Sequence, residues 1–576
     1  MSRETSTLFS ERDKRPDGGV GASRSSTSAP RPARSRRNAG RTRKAPRKWQ
    51  LSSFPSRQPE IECVAGSEHL PLRLPTRRAL DEEGRLVEEV VRKRAHALAT
   101  PRSAWRSGAR ELLDHDGPPC DPVGVIAEPD RLRTLVHEYG KLRRLEGHTP
   151  QSRGQRFNGL IAEVFQSWGI DAHADFDARG NIDVAFSLDG TRYILEAKWE
   201  AEPADTGTIA KLQKRVRQRL GGTIGVVLAM SGFSPDAHHD LRDGERLEVL
   251  LIEREHFEAI LTGLVPPQEL VPLLLDRASF SGEVGVPLVA LLTQDGPDLS
   301  GLRFGSPPEL DNLVARAPSS FKASVAVSNL PFGGSGVAEK AADVLVLTLT
   351  GGLVEVNLRE QSATTILPID GCSRNVLLGA DGSLYFVRKS GVGQLSGGEL
   401  RVAGGALTGN VALVAGQDGA VYAFANSRGD GPDSRGALIA RLGTQVGDEV
   451  FYPIDYPSAC GMNASWLSTK ELLVVGSAGV VVWETDGAAE RLPYDLTNPM
   501  GLARLDGQRA LAAEGEVSLV ELNPAAKASR EVARFNLQGS VSELAATASA
   551  GLGGYLFSHY TKSTGETKGV VVGFSH

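Results

Sequence analysis

The stretch GNIDVAFSLDGTRYILEAKW, residues 180–199, alternates apolar and polar positions on either side of an Asp189-Gly190 pair. That dipeptide between two alternating runs is the signature of a tight β-hairpin, because both residues tolerate the positive φ such turns need. With Asp189 and Gly190 as the turn, Leu188 faces Thr191, and counting outward Asp183 faces Glu196. A four-residue loop keeps that register; a three-residue loop shifts it by one. Side chains alternate across a strand, so Asn181, Asp183, Ala185, Ile194, Glu196 and Lys198 share one face. Ile182, Val184, Phe186, Tyr193, Leu195 and Ala197 share the other, which is expected to pack on the core. Opposed like charges destabilise a sheet. A surface hairpin with a mixed charge set is the plain reading. The chemical one is a divalent cation, since Mg²⁺ (or Mn²⁺) takes carboxylate and phosphate oxygens and keeps several waters. Such an ion would polarise a phosphodiester, and Lys198 would orient or deprotonate the attacking water and offset developing charge.

The surrounding sequence supplies a framework for the hairpin. In RGQRFNGLIAEVFQSWGI (153–170), Phe157, Leu160, Ile161, Val164, Phe165 and Trp168 form one helical stripe that Gly169 ends. A strand is expected near 171–177, then the hairpin. TGTIAKLQKRVRQRL (206–220) is a helix with Ile209, Leu212, Val216 and Leu220 on one side. GGTIGVVLAM is a strand apolar on both faces, SPDAHHDL a short helix, RLEVLLI a strand and EREHFEAILTGL a helix. The order is α-β-β-β-α-β-α-β-α.

An Asp on the second strand and Glu-x-Lys on the third, in that order of elements, resembles the PD-(D/E)xK nuclease superfamily, and most closely its Mrr-like restriction-endonuclease domains. The residues that carry the resemblance are RFNGLIAEVFQSWG, GNIDVAF, YILEAKW and TIGVVLAMSGFSPDA, the last similar to the GxxxSxxGF segment of those domains. It covers about 115 residues of 576. Ile182 stands where a Pro usually precedes the Asp, a departure that Mrr-like members tolerate. The resemblance implies that Asp183 and Glu196 bind metal and that Lys198 assists catalysis. It also brings in Glu163, on the first helix, as a third metal ligand, with a solvent-facing Glu as the alternative. Lys211, Lys214, Arg215, Arg217 and Arg219 place five cations on one helix with no acid between them. Lys211, Lys214 and Arg215 are expected to track DNA phosphates, and Gln213 to touch the metal site or a base edge.

Outside this segment the composition changes. Residues 1–48 hold 14 Lys/Arg against 4 Asp/Glu on a chain whose net charge is −5. Residues 1–56, rich in Arg, Ser, Pro and Gly, are expected to be a disordered basic arm, either a nucleic-acid contact or a solubilising tail. Residues 57–149 are expected to be helical, with Leu80, Leu86, Val90 and Val91, then Leu132, Leu135, Tyr139 and Leu142, at helical spacing. The nuclease-like domain spans 150–265 and a Pro/Gly/Leu-rich connector 266–310.

From 311 to 576, short apolar strands alternate with turns near 351, 381, 418, 478, 514 and 565. Their mean spacing is about 43 residues, close to the ~40–50 of a four-stranded propeller blade. The spacing is irregular and carries no WD or kelch signature, so the expectation is a degenerate β-propeller of about six blades, with a sandwich as the alternative.

Several functions are excluded. There is no apolar run of ~18 residues for a membrane span, and no apolar core behind the basic N-terminus for a secretory signal. Cys63, Cys120, Cys372 and Cys460 form no CxxC pair, which argues against structural zinc and a disulfide framework and for a reducing cytoplasm. His238 and His239 are adjacent on a helix, point about 100° apart and do not chelate together. GGSGVAEK (333–340) lacks the Gly spacing and the Lys-Ser/Thr of a phosphate loop. The expected function is a metal-dependent endonuclease cleaving DNA in bacterial restriction or antiviral defence, with the propeller as recognition or assembly module for an unknown partner. The alternatives are an inactive nuclease-fold scaffold and a nuclease acting on RNA. A homodimer would supply two sites for double-strand cutting.

Overall fold

The computed structural model describes residues 129–176, 182–240, 247–333, 336–426 and 437–454 and, with further short breaks, 463–575. The basic arm, most of the 57–149 region, Asn181 and the side chains of His238 and His239 lie outside the described residues. The chain divides into two compact units, Met1–Pro118 and Pro119–His576.

Helix α1 (Pro129–Arg143) buries Leu132, Leu135, Val136, Tyr139 and Leu142. Helix α2 (Pro150–Ser167) starts at Thr149, which accepts the Ser152 N–H at 3.2 Å in a reciprocal capping box. It ends where Gly169 takes a φ of 72°. Its expected stripe is buried throughout. Strands β1 (Asp171–Phe176), β2 (Ile182–Leu188) and β3 (Thr191–Lys198) then run antiparallel. Helix α3 (Thr206–Arg217) crosses over to β4 (Ile224–Ala229), and α4 (Pro235–Asp240) to β5 (Val249–Glu253). Both β4 and β5 lie parallel to β3, and the sheet order is β1-β2-β3-β4-β5. Helix α5 (Arg254–Thr262) follows at once.

The hairpin has the register counted from its turn. Leu188 faces Thr191 and Val184 faces Leu195, with Asp189 and Gly190 at φ 48° and 79°. Both faces of this hairpin are covered: the crossover helices α3 and α4 lie over the carboxylate face, and α1, α2 and α5 over the other. Helices α1, α2 and α5 bury Val184, Phe186, Tyr193 and Leu195. On the carboxylate face, Ile194 packs with Ile209, Leu212 and Val216 of α3, and Ile182, at the strand's entry, joins that second cluster.

The C-terminal half is a six-blade propeller. Its sheets occupy 336–367, 372–404, 408–454, 463–492, 501–535 and 543–575, here blades 1 to 6. The first strand of each blade neighbours the first strand of the next, and the sixth returns to the first. The ring is closed by chain from before blade 1. Lys322–Leu330 pairs with the last strand, Thr567–Ser575, and Val314–Arg316 pairs with Ala528–Phe535 of blade 5. The irregular turn spacing has a simple origin. The turns near 381 and 418 join the first and second strands of their blades, whereas those near 351, 478, 514 and 565 join the second and third.

Nuclease-like segment and propeller share one core. The cluster around α2 and α5 runs on through helices α6 (Pro267–Asp276) and α7 (Leu288–Leu292) into Val346 of blade 1, Ile369 in the link that follows it, and Leu384 and Phe386 of blade 2. The loop after α5 is stitched to blade 2. Ala406 N–H donates to the Thr262 carbonyl at 2.6 Å, Ser390 N–H to the Gly263 carbonyl at 3.1 Å and Arg388 Nη1 to the Leu264 carbonyl at 2.7 Å. Arg388, only 3% exposed, and Lys389 both pair with Glu269 of α6. On the other side, Arg143 and Arg144 reach Asp448 of blade 3. There Gly140 lies so close to the Gly447 backbone that no β-carbon would fit.

Beside that contact, Glu449 is buried. Its Oε2 accepts the Gly447 N–H at 2.6 Å, while Oε1 has no partner. Burial, reinforced by the charges of Asp448 and Glu258, pushes its carboxyl up to about 7. A raised folded-state pKa means the fold favours the protonated acid. Stability from this group is therefore full below the unfolded value of 4.5 and is lost as pH rises through 7. We expect resistance to urea to fall across that window by up to about 3 kcal/mol, and Glu449→Gln to flatten the fall. A variant that keeps the wild-type slope would place the titration elsewhere.

Candidate active site

Asp183 and Glu196 come together at the end of the sheet where β3, β4 and β5 finish, the usual ligand edge of α/β sheets. Asp183 is half-buried. Its Oδ2 accepts the Ala197 N–H at 2.9 Å, which fixes the carboxylate against β3 one residue from Glu196. Burial raises its pKa first and the charge of Glu196 second, while the Ala197 N–H, Lys198 and Arg215 pull it back down. The repulsion inferred from the register therefore acts in the folded chain.

Glu196, 14% exposed at its side chain, is held by two cations. Lys198 Nζ lies 3.1 Å from Oε1, and Arg215 Nη1 donates to Oε2. Lys198 is close because it sits two residues along the same face. Arg215 is close because α3 crosses back over that face, with Leu212 and Val216 buried against Ile194. Sequence reasoning placed Arg215 on DNA and missed this pairing. The signal available was its position one turn on from the buried Leu212, on the crossover helix that must cover the hairpin.

The other expected residues lie in different places. Lys211 and Lys214 are exposed on α3, and Gln213 is half-buried there. Glu163 accepts from Arg156 Nη1 at 2.8 Å, and Arg156 also pairs with Glu138 of α1. Glu163 thus belongs to a charge network between α1 and α2, which the mixed charges of 129–147 gave no means of pairing in advance. Among the described residues no set of three Asp, Glu, His or Cys side chains lies close enough to hold a metal ion. At the hairpin Asp183 keeps Oδ1 unshared, while both oxygens of Glu196 are paired with Lys198 and Arg215. Two carboxylates are sufficient protein ligation for a Mg²⁺-type ion, which completes its shell with water and phosphate oxygens, and Glu196 would have to exchange its two cations for the metal.

Residues 150–261 match the protein family described as restriction endonuclease. No curated protein matches the chain. Solved structures similar to it include a gluconolactonase from Xanthomonas campestris, at 13% identity over 47% of this chain and 97% of that one with a TM-score of 0.36. A calcium-binding regucalcin from Agrobacterium tumefaciens is similar at 15% identity over 38% and 83%, with a TM-score of 0.27. An oligogalacturonate lyase from Vibrio parahaemolyticus is similar at 9% identity over 47% and 81%, with a TM-score of 0.29. Similarities at this level bear on neither activity nor ligand. Residues 150–261 thus form a restriction-endonuclease domain, PD-(D/E)xK-like in fold and Mrr-like in family, and a six-blade propeller follows it in the chain.

Proposed function

We propose that the protein is a Mg²⁺- or Mn²⁺-dependent endonuclease that hydrolyses DNA phosphodiesters. The observation that supports this best is the pair of neighbouring, partly buried carboxylates with Lys198 beside them, inside a segment that matches restriction endonucleases. Asp183 and Glu196 would hold the ion. When bound it supplies Lewis-acid polarisation of the scissile phosphate.

The rest falls to the chain's own side chains. Asp183 stays oriented by the Ala197 N–H. Glu196, paired with Lys198 and Arg215, would hold the cation in their place. Lys198 would orient a water and offset charge developing on the phosphate, and Arg215 would contact the DNA backbone. The exposed Lys211 and Lys214 extend the track along α3, with Gln213 beside them and Glu163 as an outer support of the helix that backs the site.

In this reading the chain is an arm (1–56), a helical region (57–149), a nuclease domain (150–265), a connector (266–310) and a propeller (311–576) that recognises a partner or assembles the enzyme. The boundary at 265 divides roles rather than packing, since one core crosses it. A defence role in the bacterial cytoplasm and a homodimer with two cutting sites complete the proposal. No helix among the described residues is long and apolar enough to cross a membrane.

Supercoiled plasmid, incubated with the full chain in Mg²⁺ or in EDTA, tests it. Nicking is expected in Mg²⁺ alone and is expected to be lost in Lys198→Ala. Equal nicking by that variant would remove Lys198 from the chemistry. No nicking by wild type on plasmid, together with cleavage of RNA, would move the substrate to RNA; inactivity on both would leave a scaffold.

A further inference from the structure

A second charged cluster gathers around Trp199, the residue that follows Lys198. Arg153, in the first turn of α2, donates from Nη2 to the Trp199 carbonyl at 2.7 Å, and its guanidinium lies over the Trp199 indole, 4.7 Å from the ring centre. Arg254, the first residue of α5, donates from Nε to the Met230 carbonyl at 2.9 Å. Met230 in turn donates its N–H to the Lys198 carbonyl at 2.8 Å. Both guanidiniums are therefore tethered to backbone adjoining Lys198.

Trp199 is itself braced, stacked on Tyr139 at 5.5 Å and edge-on to Phe157 at 4.6 Å. Arg254 is exposed and Arg153 half-buried. Burial and the charge of Arg254 both lower the pKa of Arg153, so the two cations feel each other. Among the described residues neither forms an ion pair with a carboxylate. Glu258, whose charge acts on Arg254, is committed to the Tyr139 hydroxyl at 2.6 Å. The Nε of Arg153 has no partner at all.

Two fixed guanidiniums without an acid carry an electrostatic cost that an anion removes. Planar guanidiniums with N–H groups to spare match phosphate oxygens in pairs. We infer that Arg153 and Arg254, braced by Trp199, clamp a backbone phosphate of the DNA strand being cut, next to the phosphate that lies at Asp183 and Glu196. This rests on the endonuclease reading. The carboxylates wait for a cation and the arginines for an anion, and a metal-bound nucleic-acid strand supplies both.

The test is binding of a fluorescent DNA duplex by the full chain in EDTA, so that nothing is cut, across about 50–200 mM salt. Arg254→Gln and Arg153→Gln are each expected to weaken binding by about 3- to 10-fold and to reduce the slope of log affinity against log salt by about one. Arg254→Lys is expected to keep the slope and only part of the affinity, and Lys527→Gln, on blade 5, to change neither. Inorganic phosphate at millimolar levels is expected not to compete. If Arg153→Gln loses the fold, the exposed Arg254→Gln decides. Wild-type affinity and slope in a folded Arg254→Gln would overturn the clamp, and so would efficient displacement of duplex by free phosphate, which would make the site a small-anion site. If wild type cuts plasmid while the variants bind as it does, only the clamp falls. If wild type neither binds nor cuts duplex, the endonuclease reading falls with it.

Discussion

Replacing Asp183 with Asn is expected to lower Mg²⁺-dependent cleavage by about 10³-fold or more and to leave the melting temperature unchanged or higher. The two outcomes have one cause. Asn has the shape of Asp and keeps an oxygen for the Ala197 N–H, so the hairpin loses no hydrogen bond. What it loses is a partly buried negative charge that faces Glu196. Burial and that facing charge already push the Asp183 carboxyl upward. Removing the charge relieves the fold and takes away half of the proposed cation site. The same shift gives a pH dependence: cleavage needs ionised Asp183 and is expected to fall on acidification at a higher pH than an ordinary Asp would impose. Single-turnover cleavage and thermal melts on one preparation decide the matter. A variant that melts lower yet cuts normally would make Asp183 a structural residue.

Glu269→Ala is expected to cost about 3 kcal/mol of stability, the largest loss from any single ion pair in the described residues. Arg388 is 3% exposed and meets Glu269, while its other N–H groups go to the Asp370 and Leu264 carbonyls. Truncating Glu269 leaves that guanidinium buried with two carbonyls and no counter-charge, and it also frees Lys389. The damage falls where α6 meets blade 2, so nuclease segment and propeller are expected to lose stability together. Arg388→Met in the Glu269→Ala background should recover part of the loss, because an apolar side chain needs no partner there. Urea unfolding of the two single variants and the double variant measures this. Additive losses would mean that the pair does not act as a unit.

The readable parts of this chain were those set by local chemistry. The positive φ of Asp189-Gly190 determined the hairpin register, which runs from Leu188–Thr191 out to Val184–Leu195, and Asp183 and Glu196 are the next residues along each strand. The period of the stripe from Phe157 to Trp168 announced α2, and short strands at blade-like intervals announced the propeller. What stayed hidden depends on contacts between segments far apart in sequence. Ile194 shares its face with Glu196 and Lys198, and α3 returns to cover it. Arg215 is 19 residues from Glu196 and meets it only through that return. Glu163 meets Arg156, which also pairs with Glu138 of α1. The blade phase was obscured because a tight turn recurs at different joints of different blades. The stitching of Thr262–Leu264 to blade 2 runs through backbone carbonyls, which leave no trace in side-chain patterning.

The central claim is that the carboxylates of Asp183 and Glu196, on the adjacent strands β2 and β3, form a cation site. Crystals of the full chain grown with Mn²⁺ test it through the anomalous signal of the metal, independently of any activity. The account predicts a peak in contact with both Asp183 and Glu196, Arg215 withdrawn from Glu196, and no peak in Asp183→Asn. Mn²⁺ bound elsewhere, or a hairpin left empty with Glu196 still paired to Lys198 and Arg215 at saturating metal, would contradict it.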